Sequence, residues 1–186
     1  MRKLIFGINL TLDGCCDHTK GVADENLHDF YTQLLRDADT LVYGRKTYQL
    51  MVPFWPEMAK NNSGPTKALN DFADAFAAVK KIVVFSRSLA NAEDKNTLFI
   101  KGDLREEILK LKQQEGKNIL TGGVDIPSQL IQLGLVDEFI FVIQPLLVGE
   151  GSRLFESAIL QETLQFVECK PLKSGFVALR YTKNLR

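Results

Sequence analysis

Short, almost continuous apolar runs recur along this chain and constrain its fold more than any other feature. Runs of this kind are typical of β-strands that are buried on both faces, as in parallel sheets. We predict strands over KLIFGINL (3–10), TLVYG (40–44), KIVVFS (81–86), TLFIK (97–101), NILTGG (118–123) and VDEFIFVIQPLL (136–147). Two further strands, about 163–170 and 175–183, are joined at Lys173-Ser174-Gly175 and indicate an antiparallel hairpin.

Segments with apolar residues at helical spacing separate most of these runs. Helices are predicted over 25–37, over RKTYQLM (45–51), over 66–79, from an Asp103–Glu106 capping box through Gln114, and over 126–133. The stretch 52–65, which is rich in proline and asparagine, is predicted to be a loop. The alternation indicates one α/β domain, 1–186, with three layers: a mixed, mostly parallel central sheet flanked by helices, and a C-terminal antiparallel hairpin.

The charge balance excludes some classes of partner. Lys+Arg and Asp+Glu are both 23, so no basic excess directs the chain to nucleic acid or to anionic lipid. No apolar run approaches the roughly 20 residues that span a bilayer, and no signal peptide is evident, so we expect a cytoplasmic protein. Three cysteines do not suggest a disulfide framework.

The segment TLDGCCDHTKG (11–21) concentrates cysteine, aspartate and histidine in a few positions. A metal site could be assembled from these residues, but adjacent Cys15 and Cys16 lack the spaced pairs of a structural zinc site. A strained disulfide between neighbouring cysteines is rarer still. We therefore expect no metal here, and we predict a turn at Asp13-Gly14 followed by a loop.

The end of the second predicted strand has the residues of a phosphate-binding turn. Gly44-Arg45-Lys46-Thr47 combines a glycine that permits close approach, the free N–H groups of a helix start, two cations and a hydroxyl. The alternative is a cationic helix start on a solvated face.

Two other strand ends show related patterns. Ser86-Arg87-Ser88 places hydroxyls on both sides of a guanidinium, which suits a phosphate monoester, although a capping turn would use the same residues. Gly122-Gly123-Val124 allows a diphosphate to pass close to the backbone, although tight strand-to-helix turns need glycine anyway. An extended ligand with several phosphates would satisfy all three turns, and NADPH fits best.

A series of motifs extends this reading over nearly the whole chain. In order they are T-L-D-G (11–14), L-V-Y-G-R-K-T-Y (41–48), K-I-V-V-F-S-R-S-L (81–89), T-G-G (121–123), G-L-V-D-E (134–138) and P-L-L-V-G-E-G-S-R-L-F (145–155). The series resembles the dihydrofolate reductase-like superfamily, and it is most similar to the branch of the reductase domain of bacterial riboflavin biosynthesis. The resemblance implies an NADPH-binding α/β fold with a mixed sheet, and a homodimer.

The resemblance also implies roles for the three turns. Gly44, Arg45, Lys46 and Thr47 would bind the pyrophosphate and adenosine side. Ser86, Arg87 and Ser88 would hold the 2′-phosphate, and the turn with Gly122, Gly123 and Val124 would lie against the diphosphate and the nicotinamide ribose. The loop near Asp13 and Gly14 would border the nicotinamide.

Departures from the superfamily pattern bear on the substrate. Dihydrofolate reductases have a tryptophan in the first loop and a carboxylate on the first helix, whereas this loop has Cys-Cys-Asp-His, so folate is not the expected substrate. The sequence also has no clear further phosphate cluster for a ribosyl phosphate. We expect hydride transfer from NADPH to a small pterin- or pyrimidine-like C=N or C=O compound.

Such chemistry needs a proton donor near the acceptor. The candidates are Asp13, Asp29 and His18, because histidine exchanges protons near neutral pH and carboxyl groups can be tuned to do so. Asp13 could instead be a turn residue and Asp29 a solvated helix position. Two other functions stay open at this point: a binding module that holds NADPH without turnover, and a dimeric structural protein of the same fold.

Overall fold

The computed structural model describes residues 1–88, 95–155 and 161–184, and these ranges contain an eight-stranded sheet with helices on both faces. The strands are β1 Leu4–Thr11, β2 Ala38–Gly44, β3 Lys81–Phe85, β4 Thr97–Ile100, β5 Asn118–Thr121, β6 Glu138–Gln144, β7 Leu164–Pro171 and β8 Val177–Lys183. The helices are α1 Glu25–Arg36, α2 Arg45–Met51, α3 Phe54–Asn61, α4 Lys67–Ala77, α5 Leu104–Gln113 and α6 Asp125–Gln132.

The strand order across the sheet is β4-β3-β2-β5-β1-β6-β8-β7. All neighbouring pairs from β4 through β6 are parallel, and the pairs β6–β8 and β8–β7 are antiparallel. This arrangement confirms the predicted mixed, mostly parallel sheet and its C-terminal hairpin. It also places the carboxyl ends of β3, β2, β5 and β1 side by side at one edge of the sheet.

The core divides between the two faces of the sheet because successive strand residues point in opposite directions. In β1, Ile5 packs into one core with Phe76 of α4, and Phe6 packs into the other with Ile108 of α5 and Leu130 of α6. Burying a side chain of this size contributes about 1.5–3 kcal/mol. The two cores explain why the strand sequences are apolar throughout, and they confirm the three-layer architecture.

The loop prediction for residues 52–65 is wrong, because Phe54–Asn61 forms the helix α3. Pro53 occupies the N-cap position and Pro56 lies in the first turn, where a missing N–H group removes no helical hydrogen bond. Asn62 then adopts a left-handed conformation with φ 47° and ends the helix. The prolines and asparagines therefore mark the ends of a helix and not an open loop.

The strand predicted over 136–147 is shorter in the structure. It covers Glu138–Gln144 and ends where Pro145 follows, because proline has no N–H group to donate to a neighbouring strand. After it the chain turns, and the N–H of Leu12 donates to the carbonyl of Leu146 at 2.9 Å. This contact holds the segment after β6 beside the end of β1. Among the described helices, none is long and apolar enough to cross a membrane.

Candidate active-site cleft

A cleft of about 1930 Å³ opens where the parallel strands end. The turns after β2, β3 and β5, the loop after β1, and helices α1 and α3 contribute to its lining. Ligands of open α/β sheets bind outside the carboxyl ends of the strands, so this is the expected position for a binding site. Every residue of the three turns singled out above lines this one cleft.

The turn between β2 and α2 presents glycine and cations to the cleft. Gly44 is the N-cap of α2, and no side chain caps the helix there. Arg45 and Lys46 occupy the first turn, where the helix dipole normally disfavours cations. Because α2 has only seven residues, the two side-chain charges and the close approach allowed by Gly44 would contribute most to binding an anion.

The turn after β5 packs directly against the turn after β2. Gly123 has φ +86°, and a Cβ atom at this position would overlap the hydroxyl oxygen of Thr47. A Cβ on Gly44 would lie 3.1 Å from Cγ1 of Ile126 in α6. The two glycines therefore bring two strand-end turns into contact and leave bare backbone at the point where they meet.

The turn after β3, which neighbours β2 in the sheet, is the third of the three turns. The backbone N–H of Ser88 donates to Oγ of Ser86 at 3.3 Å, which holds the turn in shape. Arg87 between them is exposed and lines the cleft. An anion in the cleft can therefore reach the guanidinium, and a serine precedes and follows it in the chain.

Asp13 ties the first loop to the segment after β6 and does not line the cleft. Its carboxylate accepts hydrogen bonds from Oγ1 of Thr11 at 2.6 Å and from the N–H of Gly149 at 2.8 Å, which lower its pKa to about 2. The N–H of Gly14 donates to the carbonyl of Thr11 at 2.9 Å, which confirms the predicted turn. At neutral pH the Asp13 carboxyl is ionised and has no proton to donate.

The other two proton-donor candidates lie in different surroundings. Asp29 is exposed on α1 and is not part of the cleft lining. His18 lines the cleft, with its side chain 66% exposed and Nδ1 at 4.0 Å from Oδ1 of Asp17. Of the three, only His18 is placed at the cleft.

The adjacent cysteines form part of the loop wall. Cys15 is buried and pairs with Arg153 in an isolated β-bridge, and the Cys16 thiol donates to the carbonyl of Ser152 at 3.3 Å. None of the three cysteines, which all lie within the described ranges, forms a disulfide. Within the described residues, no group of three His, Cys, Asp or Glu side chains could hold a metal ion.

Sequence reasoning missed the apolar wall of the cleft. Tyr31 donates its hydroxyl to Oδ1 of Asn9 at 2.8 Å, and burial raises the pKa of Tyr31 above its ordinary value. Trp55 of α3 packs edge-to-face on Phe72 of α4, with 4.5 Å between ring centroids. A polar Asn9 inside the first apolar run was the available signal, whereas nothing local marked the aromatic pair.

Comparison with solved structures identifies proteins that share this fold. The putative riboflavin biosynthesis protein from Shewanella sp. PV-4 has a TM-score of 0.72 at 20% identity, and each chain is covered completely. A dihydrofolate reductase from Enterococcus faecalis, complexed with NADP(H), has a TM-score of 0.63 at 16% identity over 98% of this chain and 97% of that one. The fold is that of the dihydrofolate reductase-like α/β proteins.

Sequence comparison is more specific. Residues 2–178 match the model of the RibD C-terminal domain, and the chain belongs to this family. It is also 34% identical over 187 residues to YyaP, an uncharacterized protein of Bacillus subtilis (strain 168), covering 98% of this chain and 96% of YyaP. The family includes reductase domains, so an oxidoreductase-like function is supported at the level of the family.

Proposed function

We propose that this protein is an NADPH-dependent reductase that transfers a hydride to a C=N or C=O bond of a small pterin- or pyrimidine-like compound. The observation that carries the proposal is the meeting of three anion-friendly turns on one cleft. Their cations are Arg45, Lys46 and Arg87, and no single phosphate would need all three turns. Membership of the RibD C-terminal domain family supports the same assignment.

The residues present fit such a cofactor. A diphosphate can approach the backbone at Gly123 closely, because this glycine packs against Thr47 and carries no side chain. Arg45 and Lys46 would neutralise the diphosphate, and Arg87 between its serines would hold a 2′-phosphate. When bound, NADPH would supply the hydride.

The chain itself must then orient the acceptor and supply a proton. A C=N acceptor gains a hydride at carbon and a proton at nitrogen, so a donor beside the cleft completes the reaction. We assign this role to His18, because Asp13 is ionised and engaged with the neighbouring loop, and Asp29 lies off the cleft. The aromatic wall would exclude water from the reacting atoms.

Titration with NADPH and NADH tests the cofactor assignment. Trp55 is the only tryptophan and lies on the cleft, so its fluorescence and the calorimetric heat should both report binding. We expect Arg87→Ala to weaken NADPH binding about tenfold and to leave NADH binding unchanged, since only NADPH carries the 2′-phosphate. Arg36→Ala removes a similar charge from exposed α1, off the cleft, and should change neither. Absence of binding by either nucleotide would disprove the proposal.

Turnover distinguishes a reductase from a binding module of the same fold. Oxidation of NADPH, followed by its absorbance, should depend on both the protein and an added dihydropterin or oxidised pyrimidine. Tight NADPH binding with no oxidation across such a set would favour the binding module instead.

We also propose that the protein forms a homodimer. Phe166 and Val167 on the edge strand β7 are 57% and 49% exposed, and an edge strand with exposed apolar side chains invites pairing. Light scattering coupled to gel filtration should give twice the 20.9 kDa mass of the chain. Phe166→Lys should shift the mass towards that of a monomer, and a monomeric wild type would refute the proposal.

A further inference from the structure

Two carboxamide side chains line the cleft from neighbouring strands. Asn9 belongs to β1, and Gln144 is the last residue of β6. The two strands are parallel, with Asn9 opposite Val142 and Thr11 opposite Gln144. Side chains on one face of a strand recur every two residues, and Val142 shares a core with Ile5, four positions before Asn9. Both carboxamides therefore lie on the same face of the sheet.

The orientation of the Gln144 amide is fixed by the backbone. The side chain is 4% exposed, and its Oε1 accepts from the N–H of Val22 at 2.9 Å. Because a backbone N–H can only donate, the other end of the amide is the NH2 group. Within the described ranges, Nε2 donates to no protein acceptor, and the fully buried polar side-chain atoms without a partner are the hydroxyls of Thr97 and Ser174. Nε2 is thus a donor that the cleft can reach.

Asn9 is held in the same way. Its Oδ1 accepts the hydroxyl hydrogen of Tyr31 at 2.8 Å, and Nδ2 donates to no acceptor among the described residues. Thr11, on the same face, does not use either amide, because its Oγ1 donates to Asp13 at 2.6 Å and accepts from the N–H of Cys15 at 2.9 Å. Both amides therefore use their oxygen inside the protein and keep their N–H donors for the cleft.

The spacing of the two amides suits one shared acceptor atom. Parallel strands lie about 4.8 Å apart and rise about 3.3 Å per residue, so an offset of two positions separates the Cα atoms by about 8 Å. An asparagine and a glutamine side chain can both donate to an atom between them at this distance. A carbonyl oxygen has two lone pairs and accepts from both donors, whereas an imine nitrogen has one.

The amides also lie beside the turn assigned to the cofactor. The strand β1, which carries Asn9, has β6 on one side and β5 on the other. The turn after β5 is close to β1, because a Cβ on Gly122 would lie 3.5 Å from the carbonyl oxygen of Gly7. An acceptor oxygen held by Asn9 and Gln144 would therefore lie near the turn that is assigned to the nicotinamide ribose.

We propose that Nδ2 of Asn9 and Nε2 of Gln144 together bind the oxygen of the acceptor, so that the bond reduced is C=O and not C=N. The proposal rests on the proposed reductase function and narrows its substrate class. Reduction forms a C–H bond from the hydride of NADPH and breaks the π bond of C=O, and the oxygen takes a proton from His18. Two fixed N–H donors stabilise the negative charge that develops on the oxygen.

A matched pair of probes tests the preference for oxygen. The probes are 6-formylpterin and its O-methyl oxime, which share the ring and differ in the C=O or C=N group. They are titrated by calorimetry into the full chain saturated with NADP+, which has no hydride to give. The aldehyde should bind about tenfold more tightly, because the oxime leaves one donor unpaired. Equal affinities, tighter binding of the oxime, or no binding of either probe would overturn the inference.

Two isosteric variants show whether the amides cause this preference. Gln144→Glu and Asn9→Asp keep an oxygen for Val22 and Tyr31 but replace the NH2 donor by a second acceptor. In each, the aldehyde should lose about tenfold in affinity, so that it binds no better than the oxime. Gln33→Glu is the control, because it makes the same change on exposed α1, off the cleft. A preference that survives in both amide variants would overturn the inference.

A neutral variant separates the lost donor from the added charge. Gln144→Met has a similar volume and no amide, and thermal unfolding would establish that it folds. With NADPH, it should lower kcat for 6-formylpterin about 100-fold, as expected for one lost donor to a developing oxyanion. Chromatography of the wild-type product should show 6-hydroxymethylpterin with its ring unreduced. Reduction of a ring C=N with the aldehyde intact would overturn the inference.

The two proposals fail in different ways. The nucleotide titrations need neither probe, so absence of NADPH and NADH binding would refute the reductase proposal directly. Normal NADPH binding without a preference for the aldehyde would refute only the assignment of the two amides. The same holds if Gln33→Glu changes the preference as much as Gln144→Glu does.

Discussion

The two sides of the cleft are built from different kinds of sequence. The three turns after β2, β3 and β5 are each a run of three or four consecutive residues, and each has glycine, hydroxyl or cationic side chains at a strand end. The aromatic half of the cleft lining, as we name it, takes its residues from five elements: Asn9, His28, Tyr31, Trp55, Phe72 and Gln144. The residues that would bind charged groups are therefore consecutive in the sequence, whereas the residues of the apolar wall come together only when the chain folds.

The largest expected effect is at the contact between two turns. Gly123→Val should reduce NADPH affinity about 100-fold or more, because the side chain would overlap Thr47 and the φ of +86° is strained for any L residue. Calorimetric titration measures the effect. Binding of the dihydropterin without cofactor should be retained, which would separate the turns from the aromatic half.

A second glycine controls for backbone strain alone. Gly149 has φ +73°, but a Cβ there would have nothing within 4 Å. Gly149→Ala should therefore lower stability without changing NADPH affinity. If Gly149→Ala weakens NADPH binding as much as Gly123→Val does, the role assigned to the Thr47 contact is wrong.

The local character of the turns explains what could be predicted from sequence. Gly44-Arg45-Lys46-Thr47 and Ser86-Arg87-Ser88 are visible as consecutive residues, and parallel strand order then brings them to one edge of the sheet. The contact between Gly123 and Thr47 was not predictable, since 76 positions separate them and only the sheet order makes them neighbours. The apolar strand runs and the helical spacing between them were sufficient to predict the fold, because this pattern recurs along the chain.

The predictions that failed concern residues whose role is not visible in the local sequence. The sequence does not reveal the helix α3 because prolines are typical of loops, whereas the N-cap position tolerates Pro53 and the first turn tolerates Pro56. Asp13 was considered a proton donor because its partners, Val148 and Gly149, lie 135 and 136 residues away and cannot be inferred from its neighbours. Both errors concern residues whose role depends on a contact far along the chain or on a position at the start of a helix.

The next effect concerns His18 on the first loop, which lines the cleft. His18→Gln should lower kcat about 100-fold and leave KM and NADPH affinity within about twofold, because a proton donor acts in the transition state. Steady-state kinetics with the best acceptor found would show the split between kcat and KM. A parallel loss in KM would indicate that His18 contributes to binding instead.

A smaller effect is expected within the aromatic half. His28→Phe keeps an aromatic ring against Trp55 and Phe72 but removes Nε2, so dihydropterin affinity should fall about tenfold, as expected for an unpaired donor on the ligand. NADPH affinity should not change, because His28 lies on α1 and not on any of the three turns that carry the cations. Equal losses for both ligands would mean that the two sides are not independent.

The smallest effect tests whether Asp13 only holds the first loop against the segment after β6 or takes part in chemistry. Its pKa of about 2 is below the ordinary value, so the ionised form stabilises the fold above the ordinary pKa, and this contribution is lost as pH falls towards 2. Asp13→Asn removes the titrating group, so the wild type should lose its stability advantage over this variant between about pH 5 and pH 2. Urea unfolding at a series of pH values measures the difference, and Asp29→Asn provides the same chemical change on exposed α1. If Asp13→Asn left this pH dependence intact yet abolished turnover at pH 7, Asp13 would act in the reaction, and the assignment to His18 would have to be withdrawn.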